Sequence, residues 1–405
     1  MAPHRAEKRH WLNRNVLAIG LTSLFSDLGH EVATSILPVF LAGLGAAPWA
    51  LGVIEGVADG ISSIAKLSAG YASDKTGIRK PIAVVGYIVT AVATAGIGLA
   101  VVWSHVLVGR VLAWLGRGAR SPVRDAILVD SIEPEDYGKS LGFERSLDTL
   151  GAIIGPAVAV LLVGILSNRT LLFLTLVPGM IAAGLFAFGV RAAPATKPAM
   201  HLKVSFRNLP VKFRWFLVAI AIFGVGDFAH TLLILRASQI LQPQLGDAAS
   251  QWAIGLYLVH NLLYAGFSTP IGALADRVGK MKVLTAGYLL AAVMNLGFIL
   301  NPTTVLPLFF LFALGGLFIA VEDALERAVA ADLLPEHLRA TGFGALAAVN
   351  SIGDLASSML VGFLWAKVSP AAGFGYAAVL SLLGATFLFL LKRTQDRSRI
   401  STHGS

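Results

Sequence analysis

The chain has no cysteine, so no disulfide can staple it and no thiolate can hold a metal, while the compartment stays open. It is also short of charge: Asp, Glu, Lys and Arg make up 14% of 405 residues, against 56% hydrophobic ones. That is too little to wet the surface of a soluble protein of this length. No basic stretch is interleaved with aromatics on a separate soluble module, which argues against a nucleic-acid partner. No grouping of nucleophile, base and orienting acid is recognisable, so an enzyme is not expected. Glycine-rich pieces such as GRGAR from Gly116 lack the preceding strand that a phosphate-cradling loop needs, and they read as close helix packing. No cofactor is expected and no metal site is assigned.

What the chain does have is apolar length. Windows of roughly 20 apolar residues, enough to cross a hydrocarbon layer of about 30 Å as helix, recur about twelve times. The expected fold is therefore an all-α integral membrane protein whose main partner is the lipid bilayer. Lys and Arg mark the loops that stay in the cytoplasm. The amino-terminal tail holds Arg5, Lys8, Arg9 and Arg14, alternate loops hold Lys75, Arg79, Lys80, Lys139, Arg277, Lys280, Lys282 and Arg339, and the carboxyl tail adds Lys392, Arg393, Arg397 and Arg399. The opposite loops offer little beyond Arg169 and Lys367. Both termini are expected in the cytoplasm, and the formal charge of +9 is mostly topology. The first apolar run is too long for a cleavable signal and carries Asp27, so it reads as a helix that stays.

The sequence also repeats. GYASDKTGIRK starts at Gly70 and GALADRVGKMK at Gly272, an offset of 272 − 70 = 202, and Asp130 matches Asp332 at the same offset. Asp27 recurs as Asp227 at 227 − 27 = 200. Residues 191–213, rich in Pro and basic residues, divide a six-helix half at 1–190 from a second at 214–392, with a tail at 393–405. Repeats of this kind place a substrate site near the midplane where the halves meet.

These residues resemble the major facilitator superfamily of secondary transporters along essentially the whole chain. Gly70, Asp74, Gly77, Arg79 and Lys80, and again Gly272, Asp276, Arg277, Gly279 and Lys280, match its loop motif G-x-L-A-D-r-x-G-r-k. Ala72 and Ile78 depart from it in the first copy. Gly151, Gly155 and Pro156 match the helix-five motif of the family's antiporters, with Ala159 and Val160 in place of its last two glycines. Arg110 matches the helix-four arginine assigned to proton transfer, although Ala113 and Trp114 replace the usual Gln and Gly. The resemblance implies two pseudo-symmetric halves, a cavity lined by helices one, four, seven and ten that opens alternately to each side, and loop contacts through Asp74, Arg79, Asp276 and Arg277 that take part in gating.

The chemistry-bearing residues lie at mid-helix. Asp27 with His30 and Glu31, and Asp227 with His230, put ionisable groups where a lipid-facing charge would cost several kcal/mol, so they belong in the bundle interior or a wet cavity. Spacings of three and four share a helix face. Such clusters serve proton or substrate binding, packed structural pairing, or mixed N and O ligation of a divalent metal. On helix four Arg110, Arg117, Arg120 and Arg124 form a basic stripe, fit either for an anionic substrate or for pairing with Asp125, Glu144 and Asp148. At offset 202, Arg120 and Arg124 correspond to Glu322 and Glu326, which suggests a charge-paired gate between halves. Glu55 and Asp59 share a face with Lys66 near by, and His260 stands alone.

The expected function is a monomeric proton-coupled antiporter of the inner or plasma membrane. It would export a small-molecule substrate against protons, Asp27, His30, Glu31, Asp227, His230 and Arg117 binding them. The alternatives are a divalent-metal or organic-anion exporter, or a sensor or scaffold on the same fold.

Overall fold

The computed structural model describes residues 11–191, 209–335 and 338–403, with side chains throughout except at 74, 134, 340 and 395–403. Most of the expected linker, and Arg5, Lys8 and Arg9 of the amino-terminal tail, lie outside the described residues. Among the described residues there are fourteen α-helices and no strand. The first half holds α1 (Arg14–Gly43), α2 (Pro48–Thr76), α3 (Lys80–Gly96), α4 (Trp103–Asp130), α5 (Tyr137–Leu162), α6 (Asn168–Leu174) and α7 (Leu176–Gly184). The second holds α8 (Val211–Gly224), α9 (Thr231–Leu245), α10 (Ala248–Val278), α11 (Lys280–Ile299), α12 (Val305–Leu333), α13 (Arg339–Lys367) and α14 (Pro370–His403).

Seven segments are long and apolar enough to cross a membrane by length and composition: those on α3, α5, α6–α7, α11, α12, α13 and α14. The remaining five of the expected crossings are α1, α2, α4, α8–α9 and α10. These are the most polar or, for α8–α9, interrupted, because they carry most of the residues described below.

Helix ends follow local chemistry. Asn13 caps α1, its Oδ1 accepting from the amides of Asn15 at 2.9 Å and Val16 at 3.1 Å, and proline opens α2 and α14. The repeated loop motif ends α2 and α10 on Gly77 at φ +70° and Gly279 at φ +104°. Only glycine takes such angles without strain, which explains why both copies keep it there.

Asn13 donates to the carbonyl of Ser131 and Arg14 to that of Phe188, so the start of α1, the end of α4 and the end of the sixth segment gather at one end, here called the basic end. At the far end, one apolar cluster joins both halves through Ile36, Phe40 and Leu51 on one side and Leu232, Leu241, Ile254 and Phe374 on the other. Toward the basic end the halves keep separate cores, around Tyr87 and Phe186 in the first and around Phe223 and Tyr288 in the second. The bundle is thus sealed at the far end and split at the basic end. Glycines set the closest helix contacts between the halves: a Cβ on Gly52 would lie 2.1 Å from the Ser358 carbonyl oxygen, and one on Gly56 2.7 Å from that of Leu355, so α2 and α13 touch backbone to backbone.

Candidate transport cavity

In the first half the ionisable residues are paired across helices. Asp27 of α1, 6% exposed, accepts from Arg117 Nη2 of α4 at 2.8 Å. It makes no bond to His30 among the described residues. The His30 ring lies against Trp114, centroids 4.6 Å apart, with its Nε2 3.5 Å from Thr34 Oγ1. Glu31 turns to the other half, its Oε2 accepting from the Tyr257 hydroxyl of α10 at 3.0 Å. These positions depend on α5. A Cβ on Gly151 would fall 2.5 Å from the Leu24 carbonyl oxygen and 3.1 Å from Asp27 Cβ, and one on Gly155 2.6 Å from Glu31 Cβ. The helix-five motif is therefore the surface on which the acidic stretch of α1 lies.

The basic stripe of α4 is largely consumed within its own half. Arg110, buried, donates to both oxygens of Glu55 at 3.0 Å and stacks over Trp114; Asp59 accepts from Trp114 Nε1 at 2.6 Å. Arg124 bridges Asp125 and Glu144, both at 2.9 Å. Arg120 takes no carboxylate and stacks on Tyr87, 4.0 Å from the ring centre.

The second half differs. Asp227 and His230 do not share a helix face, because residues 225–230 are not helical and separate α8 from α9. Gly226 presses on Leu380, where a Cβ would stand 2.6 Å from Leu380 Cβ. The backbone groups released by the break find partners on neighbouring helices: the Ala229 amide donates to Ser358 Oγ at 3.0 Å, Ser357 Oγ donates to the Asp227 carbonyl, and the Tyr376 hydroxyl donates to the Val225 carbonyl at 3.0 Å. Irregular backbone at membrane depth persists where protein satisfies it in this way. His230 packs on His260, centroids 4.8 Å apart, and His260 on Tyr257.

Between the halves lies a cavity of about 750 Å³. Its wall carries six carboxylates, Asp59, Asp227, Glu322, Asp323, Glu326 and Asp354, and three cations, Lys66, Arg145 and Arg327. Its lining comes from the basic-end portions of α2, α5, α10, α12 and α13 and from the break at Asp227, so it opens toward that end. Three of the acids are held: Asp59 accepts from Trp114, Glu326 from Tyr288 at 2.6 Å and Asn350 at 2.7 Å, and Asp323 from Arg145 at 3.0 Å and Tyr264 at 2.5 Å. Asp27 and Glu31 are not part of this wall. Glu322 and Glu326 were legible only as a repeat of α4, whereas Asp323, beside Glu322, has no charged counterpart in that repeat, and Asp354 stands singly in an apolar run.

The expected gate residues divide likewise. Arg124 and Glu326 each bond within their own half in this conformation, and among the described residues the ion pair that crosses between halves at the cavity is Arg145 with Asp323. Arg79 pairs with Asp130, and Lys280 pairs with Asp332 at 3.0 Å, so each half ties its loop motif to the end of its fourth segment. Asp276 and Arg277 are exposed at the second loop; the Asp74 side chain lies outside the described residues.

Two helical halves of matching sequence, packed around a polar cavity that reaches one end only, define a multi-pass membrane transporter. The family model of the Major Facilitator Superfamily matches residues 19–246 and 231–404, and the chain belongs to that family. It is 32% identical over 392 residues to an uncharacterized MFS-type transporter, MJ1317, of Methanocaldococcus jannaschii, covering 94% of this chain and 95% of that one. It is 26% identical over 281 residues to the multidrug resistance protein MdtL of Klebsiella pneumoniae, covering 68% and 66%. Among solved structures, a mutant of the nucleoside transporter NupG superposes with a TM-score of 0.79 at 11% identity, covering 94% of this chain and 99% of that one, a likeness of fold.

Proposed function

We propose that this transporter exports a small organic cation in exchange for protons by alternating access, from a plasma or inner membrane in which the basic end, with both termini, faces the cytoplasm. The observation that carries the reading is the cavity wall, where six carboxylates face three cations at the open end. Uncompensated negative charge in a cleft with low-dielectric walls concentrates cations, whether protons or cargo, and makes the two compete. Asp227 lines this wall from the break between α8 and α9. The halves that move are residues 1–190 and 214–392, joined by 191–213, in a monomer. Asp27 and Arg117 form a second proton-sensitive point: a proton taken by Asp27 dissolves the ion pair and frees α4 from α1. Glu31 and His230 extend the polar path through Tyr257 and His260. A relative named for multidrug resistance accords with an exported organic substrate.

The organic-anion alternative loses its support on α4, where Arg110, Arg117 and Arg124 already hold carboxylates. A divalent metal as cargo has less support than an organic cation, since no group of three His, Asp or Glu with ligating geometry is found among the described residues. The scaffold reading gives no reason for a cavity wall of acids.

The test uses purified protein in proteoliposomes with an imposed pH gradient and tetraphenylphosphonium as the probe. A proton gradient is expected to drive counterflow of the probe, and Asp227→Asn and Asp27→Asn to remove its pH dependence while the protein still folds. A thermal-shift comparison of organic cations, organic anions and divalent metals accompanies it. Stabilisation by organic anions alone, or undiminished proton-driven flux in both variants, overturns the proposal.

A further inference from the structure

Arg120 is the α4 arginine left without a carboxylate, and its surroundings repeat the deficit. It lines a small void of about 10 Å³ together with His30, Tyr87, Thr90, Thr94 and Thr175, and no acid lines it. Arg120 is 5% exposed, His30 9% and Tyr87 1%. Each brings one buried polar atom that has no partner among the described residues: Arg120 Nη1, His30 Nδ1 and the Tyr87 hydroxyl oxygen. Native interiors satisfy such groups nearly always, so three around one void call for a shared ligand.

The guanidinium nitrogen can only donate, and the tyrosine hydroxyl is free to donate. His30 turns Nδ1 to the void, while its Nε2 lies 3.5 Å from Thr34 Oγ1 and 3.8 Å from Glu31 Oε1; a ring with its proton on Nδ1, or one carrying both protons, adds a third donor. Thr90 and Thr175 spend their hydroxyl protons on the carbonyls of Gly86 and Leu172, at 2.8 and 2.6 Å. The void therefore offers the Arg120 and Tyr87 donors, one full positive charge and room for a single small body.

The second half shows the complementary arrangement. Tyr288, offset 288 − 87 = 201 from Tyr87, donates to the carboxylate of Glu326 at 2.6 Å. Where that half supplies a covalent anion to its tyrosine, the first half supplies an arginine and a gap. We infer that the space bounded by Arg120, Tyr87 and His30 binds a small monovalent anion of the halide class, which neutralises Arg120 and ties together α1, α3, α4 and the sixth segment. The anion is a resident of the first half, not cargo, and the inference stands apart from the cation reading of the main cavity.

The test uses the full-length protein in detergent, unfolded thermally in sodium chloride, bromide or gluconate at equal ionic strength. Chloride and bromide are expected to raise Tm in a saturable manner over gluconate. Arg120→Gln is expected to abolish that difference, Arg120→Lys to retain it, and Tyr87→Phe to shift its midpoint to higher chloride. Tyr87→Phe keeps the shape and the charge of the site, so it decides the matter should Arg120→Gln fail to fold. Crystals grown in bromide are expected to show anomalous density beside Arg120. Equal Tm in chloride and gluconate, an unchanged chloride response in Tyr87→Phe together with Arg120→Gln where that folds, or density for water alone overturns the inference.

Discussion

Arg110 is held from several directions: Glu55 takes two of its nitrogens, Thr34 accepts from it, and Trp114 lies under its plane. With both ionic partners buried, 2% and 3% exposed, removing one leaves a charge stranded in low dielectric. Glu55→Gln is expected to destabilise the protein by about 3–5 kcal/mol, and Glu55→Met with Arg110→Met to recover most of that. Chemical denaturation in detergent measures it, and a single variant as stable as the parent would mean the pair is hydrated. At this scale the sequence was legible in kind and opaque in partner. It showed that Asp27 needed a companion and that α4 carried four arginines, yet nothing in one dimension joins Asp27 to Arg117, 90 positions away, because that choice is made by how α1 and α4 are rotated. His30, three residues from Asp27 and so on its face by spacing, is instead turned to Trp114.

Helices one and five meet where their chemistry and their packing coincide. Leu28 of α1 would be crowded by any side chain at either Gly151 or Gly155. Gly155→Ala puts a methyl 2.6 Å from Glu31 Cβ and 2.9 Å from the Leu28 carbonyl oxygen. It is expected to cost about 1–3 kcal/mol through overpacking, and to lower transport by pulling Glu31 off Tyr257. Gly164→Ala, which meets only Gln251 at 3.8 Å, is the control. Tm and flux measured on both separate the cases, and a Gly155→Ala protein with parental flux would show that this contact yields without consequence. Elements were well marked in the sequence where end signals are chemical, as at Gly77 and Gly279. The break between α8 and α9 was missed because its cause is elsewhere in the chain: the apolar run around Asp227 reads as continuous, and Ser357, Ser358 and Tyr376, which satisfy its freed backbone, are more than a hundred positions downstream.

On the scale of the whole molecule the two halves, their repeat and the family were legible, since a 202-residue offset survives in loop motifs; the acidic cavity was not, since its wall is assembled from six separate segments. Ser63 of α2 and Ser351 of α13 face each other across the halves with hydroxyl oxygens 2.5 Å apart, and both line the cavity. Because the native chain has no cysteine, Ser63→Cys with Ser351→Cys is expected to form one disulfide. The oxidised protein should bind cargo from the basic end without turning over, and a reductant should restore flux. Full flux with the bond intact would show that this edge of the cavity keeps its spacing throughout the cycle. The break in the seventh segment matters most here. Residues of α8 such as Phe223 belong to the core of the second half alone, whereas Leu232 and Leu241 of α9 belong to the core shared by both halves. One crossing is therefore anchored in two different blocks, and residues 225–230 are the joint between them. A straight helix would transmit every tilt of one block to the other as a rod does. A jointed one lets the far-end seal loosen while the core of the second half keeps its shape, and since Asp227 sits in the joint, whatever neutralises that carboxylate acts at the fulcrum.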